Sequence, residues 1–357
     1  MSTPDWRALS PDDVEVRAAM LDPHTLSSRG TLDRIVRKES SLMWSEDSET
    51  VATGTLTCCG GWSHHSLVRI TMHVGDWSEA LGTYFVMRSS ERVVGGVTTQ
   101  RLTLFSRLLA ARDALLGNDV CVGMGAAALD SVEAMLAGEG VAMLRAPGAA
   151  NFLHDQAKVY EATTTVLDAC VAEMDEAGGR LTVDGMGNAV AVRRVPLESR
   201  PVSWAYDADS GRDPMLIGGV SGGGTSEESI NQAVVRATER GQGEDERVIW
   251  AGAELPGSDP RGFGQRGRRI GKGYNERGVL PFELPTVQRM AADRLAEEAK
   301  PDERCEIDTR YVPVREGDAV MLRLNGKWGK WGVSQVKIQS LATMQMHIDL
   351  RGRCDVT

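Results

Sequence analysis

An excess of basic charge is missing from this chain. Lys and Arg total 40 against 50 Asp and Glu, for a formal net charge of −10. A general nucleic-acid binder needs surplus cations to displace phosphate counterions, so the charge argues against that class. It still permits a surface that nucleic acid passes without sticking. Aromatics are scarce, at 5%, which counts against a module that stacks on sugars. No run approaches the ~18 apolar residues of a membrane span, and none is expected. The polar start Met1-Ser2-Thr3-Pro4-Asp5-Trp6 has no apolar core for a signal peptide. A soluble chain made in the cytosol is expected. Cys58, Cys59, Cys121, Cys170, Cys305 and Cys354 are scattered, with no Cys-x-x-Cys, and read as reduced, mostly buried thiols. Nucleophile-elbow and H-E-x-x-H patterns are absent, and no carboxylate stands out from the rest. No catalytic residue, resident metal or cofactor is expected.

What is present is glycine, 39 residues of it, and a chain of 357 residues, long enough for two or three domains. Apolar residues alternate over 13–21, 41–44, 51–57, 67–74, 81–88 and 97–105, with glycine or acidic turns between them. This predicts a β-barrel or sandwich over 1–105. The period then changes. Helical runs at 126–137 and 163–177 are followed by a hairpin at 180–193, which predicts a small α+β domain over 106–200. In the second helix Val166, Leu167, Cys170, Val171 and Met174 form one apolar stripe, with threonines before it to cap and Gly178-Gly179 to stop it. From 201 the pattern is β-rich again. It contains a long Gly/Arg loop over 261–278, a helix near 285–299 and strands through 305–350. The fold class is α+β, predominantly β: two barrels, over 1–105 and 201–357, flanking the α+β domain.

Gly262, Gly264 and Gly267 match G-x-G-x-x-G, but neither a strand before nor a helix after is predicted, so a nucleotide site is not supported. Gly222-Gly223-Gly224-Thr225-Ser226 lacks the Gly-Lys ending of a phosphate loop. Asp207, Asp209 and Asp213 are spaced like a calcium loop, but Arg212 and Gly218 stand where glycine and glutamate are needed. His64-His65 with Cys58-Cys59 lacks zinc spacing, and His73 reads as a sheet residue. Arg261, Arg266, Arg268, Arg269 and Lys272 form a basic run in an acidic chain. It reads as a contact for an acidic partner subunit in preference to DNA.

The order of these features resembles one family. Trp77 precedes Leu81-Gly82-Thr83-Tyr84-Phe85-Val86, and 102–105 leads into the helical insert. Then come 164–168 and the stretch 177–187 ending Asp184-Gly185-Met186-Gly187. The last part has 303–308 and a Gly317-Asp318-Ala319-Val320 turn. Together they resemble the tail hub (baseplate hub) proteins of tailed bacteriophages, called minor tail proteins in phages of actinobacteria. The resemblance implies a non-enzymatic homotrimer at the virion tail tip of a siphophage, assembled in the host cytoplasm. Each subunit would carry two tube-like β-barrels, so that six similar barrels meet the six-fold tail tube. Partners would be the distal tail protein, tail tube, tail-tip or spike proteins and the tape measure protein. DNA would pass through the lumen at ejection, which suits acidic walls. Arg323, Lys327, Lys330 and Lys337 would then sit outside the lumen or at contacts. The last strand falls so near Thr357 that no enzymatic extension is expected. A tail-tip cell-wall hydrolase or a host-binding module is the alternative, and a single-barrel tube ring protein the near one.

Overall fold

The computed structural model describes residues 3–32, 34–59, 67–94, 96–149, 151–211, 213–225, 230–239, 247–259, 262–277, 282–298 and 303–355. The first strands are β1 (Val14–Leu21), β2 (Ser28–Thr31), β3 (Ser41–Ser45), β4 (Ala52–Cys59), β5 (Leu67–Val74), β6 (Trp77–Val94) and β7 (Val97–Ser106). An α+β stretch follows, with α1 (Leu108–Asp113), β8 (Val120–Val122), α2 (Ala128–Gly138), β9 (Met143–Arg145), β10 (Lys158–Tyr160), α3 (Val166–Glu176), β11 (Gly179–Val183) and β12 (Ala189–Arg193). Then come β13 (Val202–Asp207), β14 (Leu216–Thr225), β15 (Gln232–Glu239), β16 (Arg247–Glu254), α4 (Phe263–Arg266), β17 (Gly271–Arg277) and α5 (Leu284–Glu298). β18 (Glu303–Arg310), β19 (Ala319–Leu324), β20 (Lys327–Ser340) and β21 (Gln345–Asp355) close the chain. The fold is predominantly β, as the alternating patterns indicate.

Contacts divide the chain into two units. One holds 1–221 with 306–357, and the other holds 222–305. In the first unit, the early and late strands do not form two separate closed sheets. They share one 13-stranded sheet in the order β14-β18-β21-β20-β3-β4-β7-β6-β5-β1-β2, with β19 pairing β20 and β13 pairing β19. No strand pair closes this path into a barrel among the described residues. The join is antiparallel, with Val336 opposite Trp44 and Ile338 opposite Leu42. Alternation identifies the buried face of a strand but not its neighbour, so the partnership of β3 with β20 is invisible in either segment alone.

Within the same unit, the α+β stretch has its own apolar cluster. Leu129, Val132 and Leu136 of α2 meet Val166, Leu167, Cys170 and Met174 of α3 and Leu181, Ala189 and Ala191 of the β11–β12 hairpin. Val171, expected in this stripe, is 41% exposed. Its position lies round the helix from the buried face, on the wall of a cleft. The predicted cap is present: Thr165 Oγ1 accepts from the Asp168 N–H at 3.0 Å, and Gly178 takes a φ of +62° past the helix end. Burial pushes the Cys170 thiol up to about 12, so it is an inert core group.

In the second unit, β16-β15-β17 form a three-stranded sheet. Val287, Ala291 and Leu295, spaced one turn apart on α5, cover Ala233, Val235, Ala237 and Ala251. The expected Gly/Arg loop is instead α4 followed by β17. Gly267, in the left-handed region at φ +66°, ends α4, and Asn231 then holds the chain from both sides. Its Nδ2 donates to the Arg268 carbonyl at 2.9 Å, and its Oδ1 accepts from the Ile270 N–H at 2.8 Å.

Replacing the α3 cap, Thr165→Ala, is expected to cost about 1 kcal/mol, read as a lower denaturant midpoint with an unchanged slope. An unchanged midpoint would show that the cap does not stabilise α3.

Candidate functional site

The stretches Leu81–Val86 and Asp184–Gly187 meet at one place in the first unit, the β11–β12 hairpin. Its turn, Asp184 to Asn188, closes on itself through Asp184, whose carboxylate accepts from the Asn188 backbone and side chain at 2.8 Å each. The turn lies on β5 and β6. Thr83 Oγ1 donates to the Gly185 carbonyl at 3.0 Å and accepts from Arg69 Nε at 2.9 Å. Arg69 Nη2 reaches the Met186 carbonyl at 3.3 Å. Buried Arg107 donates to the carbonyls of Gly187 and Gly140. Burial lowers both arginines below their ordinary range; their mutual repulsion lowers Arg107 further, and Asp184 opposes the shift in each. The glycines are steric requirements. A Cβ on Gly185 would fall 1.7 Å from the Ala80 carbonyl oxygen, and one on Gly82 would fall 2.2 Å from Oη of Tyr84, whose ring lies over it. Ala80 and Thr83 of β6, with Arg69 and Arg107, are therefore the docking surface for Asp184-Gly185-Met186-Gly187.

The base of the same hairpin meets the turn between Val314 and Val320. Thr182 Oγ1 donates to Glu316 Oε1, and Arg180 Nη2 donates to the Glu316 carbonyl at 3.0 Å. Burial raises the Glu316 carboxyl, and its Oε2 is sealed without a hydrogen-bond partner. Next to it, the Arg315 guanidinium lies 4.6 Å from the Trp44 ring centroid and pairs with Glu79 at 3.2 Å. These groups border a cleft of about 1150 Å³ with charges of both signs on its walls, including Glu46, Asp175, Arg180 and Arg200.

The predicted basic run lies in the second unit, and Arg261 falls outside the described residues. Arg269 stacks 4.4 Å from the Phe263 ring centroid and pairs with Glu254 at 3.1 Å. Lys272 lies 5.4 Å from the Tyr274 ring centroid. Arg268 is exposed, and Arg266 is half-buried at the end of α4. The run is thus distributed over α4, the following turn and β17. The G-x-G-x-x-G match has a packing explanation: a Cβ on Gly262 or Gly264 would fall 2.3 Å from the Pro256 or 2.7 Å from the Gly257 carbonyl oxygen.

The other sequence candidates resolve as follows. Asp207 and Asp213 accept backbone N–H groups of their own turn, and Asp209 accepts those of Asn325 and Gly326. Arg323 pairs with Asp207 at 3.3 Å, so the calcium-like spacing builds a turn lock. Lys330 Nζ donates to the Glu198 carbonyl at 2.9 Å, while Lys327 and Lys337 are exposed. His73 sits on β5 opposite Ser78, and His64-His65 lie outside the described residues. Sequence reasoning missed a buried cluster in which Glu173 takes His154 Nε2 at 2.6 Å and the Tyr160 hydroxyl. Lys158, 2.8 Å from Glu176 and 3.6 Å from Glu173, supplies its cation. The one available signal was a glutamate inside the apolar face of α3.

No family model matches the chain, and no curated protein sequence matches it. Solved structures do match in fold. The tail protein from Neisseria meningitidis MC58 aligns with a TM-score of 0.66 at 12% identity, covering 95% of this chain and 96% of that one. The 43 kDa tail protein of prophage MuSo2 from Shewanella oneidensis gives 0.64 at 12% identity, over 94% and 98%. Prophage tail protein gp18 from Listeria monocytogenes EGD-e gives 0.53 at 11% identity, over 94% of each. The chain has the fold of these tail proteins across nearly its whole length.

Two outcomes test the docking geometry. Gly185→Ala is expected to lower stability by about 3 kcal/mol, the upper range for overpacking, measured by denaturant unfolding. For Glu316, whose folded pKa lies above its unfolded value, stability is fully present below the unfolded value and is lost as pH rises through the folded one. Glu316→Gln should therefore raise the melting temperature at pH 8, with the gain shrinking towards pH 5. A constant difference across that range would remove the ionisation of Glu316 as its cause.

Proposed function

We propose that this chain is a structural tail hub of a siphophage virion. The fold match to three tail proteins, which spans 94% or more of this chain and of each of them, carries this reading. In it the protein is a homotrimer at the tail tip. It joins tail tube and distal tail protein to the tip or spike proteins, meets the tape measure protein, and surrounds the path of the DNA. The two sheet halves, β1–β7 and the strands from β13 onward in the first unit, act as the paired tube-like elements of each subunit. Three subunits then offer six such elements to a six-fold tube. The 106–200 segment is an insert held to the sheet by its hairpin turn. A net charge of −10 supports a channel wall that repels phosphate. The basic run with Arg261, Arg266, Arg268, Arg269 and Lys272 contacts an acidic neighbour. The role is assembly, without catalysis.

Mass measurement of the purified chain and labelling of virions in negative stain test this reading directly. A trimer and label at the tail tip are expected; a monomer unattached to any particle would refute it. Lysis of purified peptidoglycan in a zymogram, lost on changing one carboxylate, would instead establish a tail-tip hydrolase. The double change Arg268→Glu with Arg269→Glu should leave the chain folded and reduce its incorporation into tails at least tenfold. Normal incorporation would remove the basic run from the contact.

A further inference from the structure

On the solvent face of the large sheet, four residues from two neighbouring strands converge: Glu306 and Asp308 of β18, and His347 and Asp349 of β21. Alternation puts each pair on one face. His347 stands at the centre. Its Nδ1 lies 2.9 Å from Asp308 Oδ1, and its Nε2 lies 3.0 Å from Asp349 Oδ1 and 3.8 Å from Glu306 Oε2. Ser221 Oγ donates to Glu306 Oε2 at 3.2 Å, and Gln339 Nε2 donates to Asp308 Oδ1 at 3.2 Å.

The two sides of the imidazole differ. Nδ1 makes a hydrogen bond with Asp308. Nε2 and Asp349 Oδ1 are as close, and Asp349 Oδ1 is sealed from solvent. A hydrogen-bonded pair points a proton at a lone pair. Two ligands of one ion instead point both lone pairs at a third position, with the same close approach of nitrogen and oxygen. Among the described residues no lysine or arginine forms an ion pair with Glu306, Asp308 or Asp349, whereas the His154–Glu173 cluster has Lys158.

We propose that Glu306, His347 and Asp349 bind a divalent first-row transition ion such as Zn²⁺, with Asp308 orienting the imidazole. Tetrahedral zinc with bonds of about 2.0–2.1 Å places its donors about 3.3 Å apart, between the 3.0 and 3.8 Å found around Nε2. The three donor atoms lie within 4.8 Å of one another. One imidazole and two carboxylates suit Zn²⁺ or Mn²⁺, while Ca²⁺ requires six to eight oxygens. A hydrogen bond from the ligating imidazole's second nitrogen to a carboxylate is the usual outer support of such sites. Bound there, the ion would staple β18 to β21 and keep a coordination position open on the sheet face.

The test is calorimetric titration of the untagged, EDTA-treated full chain with Zn²⁺, with Co²⁺ absorption as a second probe. One ion per chain is expected, with a rise in melting temperature and no response to Ca²⁺. His347→Ala should weaken binding more than 100-fold. Asp308→Asn should weaken it ~10–100-fold at unchanged stoichiometry, and His73→Ala should leave it intact. If His347→Ala does not fold, the exposed Glu306→Gln serves in its place and should weaken binding at least tenfold. No saturable uptake by the unaltered chain, or equal affinity in a folded His347→Ala or Glu306→Gln variant, would overturn the site.

Discussion

The first unit depends on the seating of one hairpin turn against the strands that precede it. Two guanidiniums, those of half-buried Arg69 and buried Arg107, supply their N–H groups to carbonyls of Met186, Gly187 and Gly140. Turn carbonyls have no ladder partners, and leaving one buried and unpaired costs about 1–3 kcal/mol. The arginines meet that need, but their own burial is unfavourable, as their lowered pKa values show. Such an arrangement holds only if the turn stays seated. Glycine at 185 lets the backbone approach Ala80, and Thr83 links Arg69 to the turn. Sterics and polar satisfaction thus select the same geometry.

That contact gives physical content to motifs that are otherwise short strings. The glycine of Leu81-Gly82-Thr83-Tyr84 accommodates the Tyr84 ring, and the threonine binds the turn. Asp184 closes the turn on Asn188. The Val314–Val320 segment joins at the other end of the hairpin through Glu316. Motifs more than 200 residues apart in sequence are therefore parts of one packing arrangement.

Local order was legible in the sequence to the extent that it depends on local rules. The α3 helix, its Thr165 cap and its Gly178 stop follow from residue type and spacing, and the strand faces follow from alternation. Partnership did not follow. β3 and β20 each read as half-buried strands, and their pairing joins what looked like two barrels into one sheet. The 261–278 stretch read as a loop because its structure depends on distant groups: Asn231 holds both sides of Ile270, and β15 supplies the edge on which β17 forms.

The same distinction separates the carboxylate groups. Asp207, Asp209 and Asp213 look like cation ligands in sequence because they are close together, yet backbone N–H groups and Arg323 occupy them. Glu306 and Asp308 stand about 40 residues from His347 and Asp349 in sequence, and no motif connects them. Strand pairing brings them together around one imidazole. What decides whether carboxylates form a turn or a cation site is which donors already occupy them. Proximity in sequence favours the first, because the nearest donors are the N–H groups of the same turn. Convergence across two strands favours the second, because the ladder has already used the N–H groups that would otherwise neutralise them.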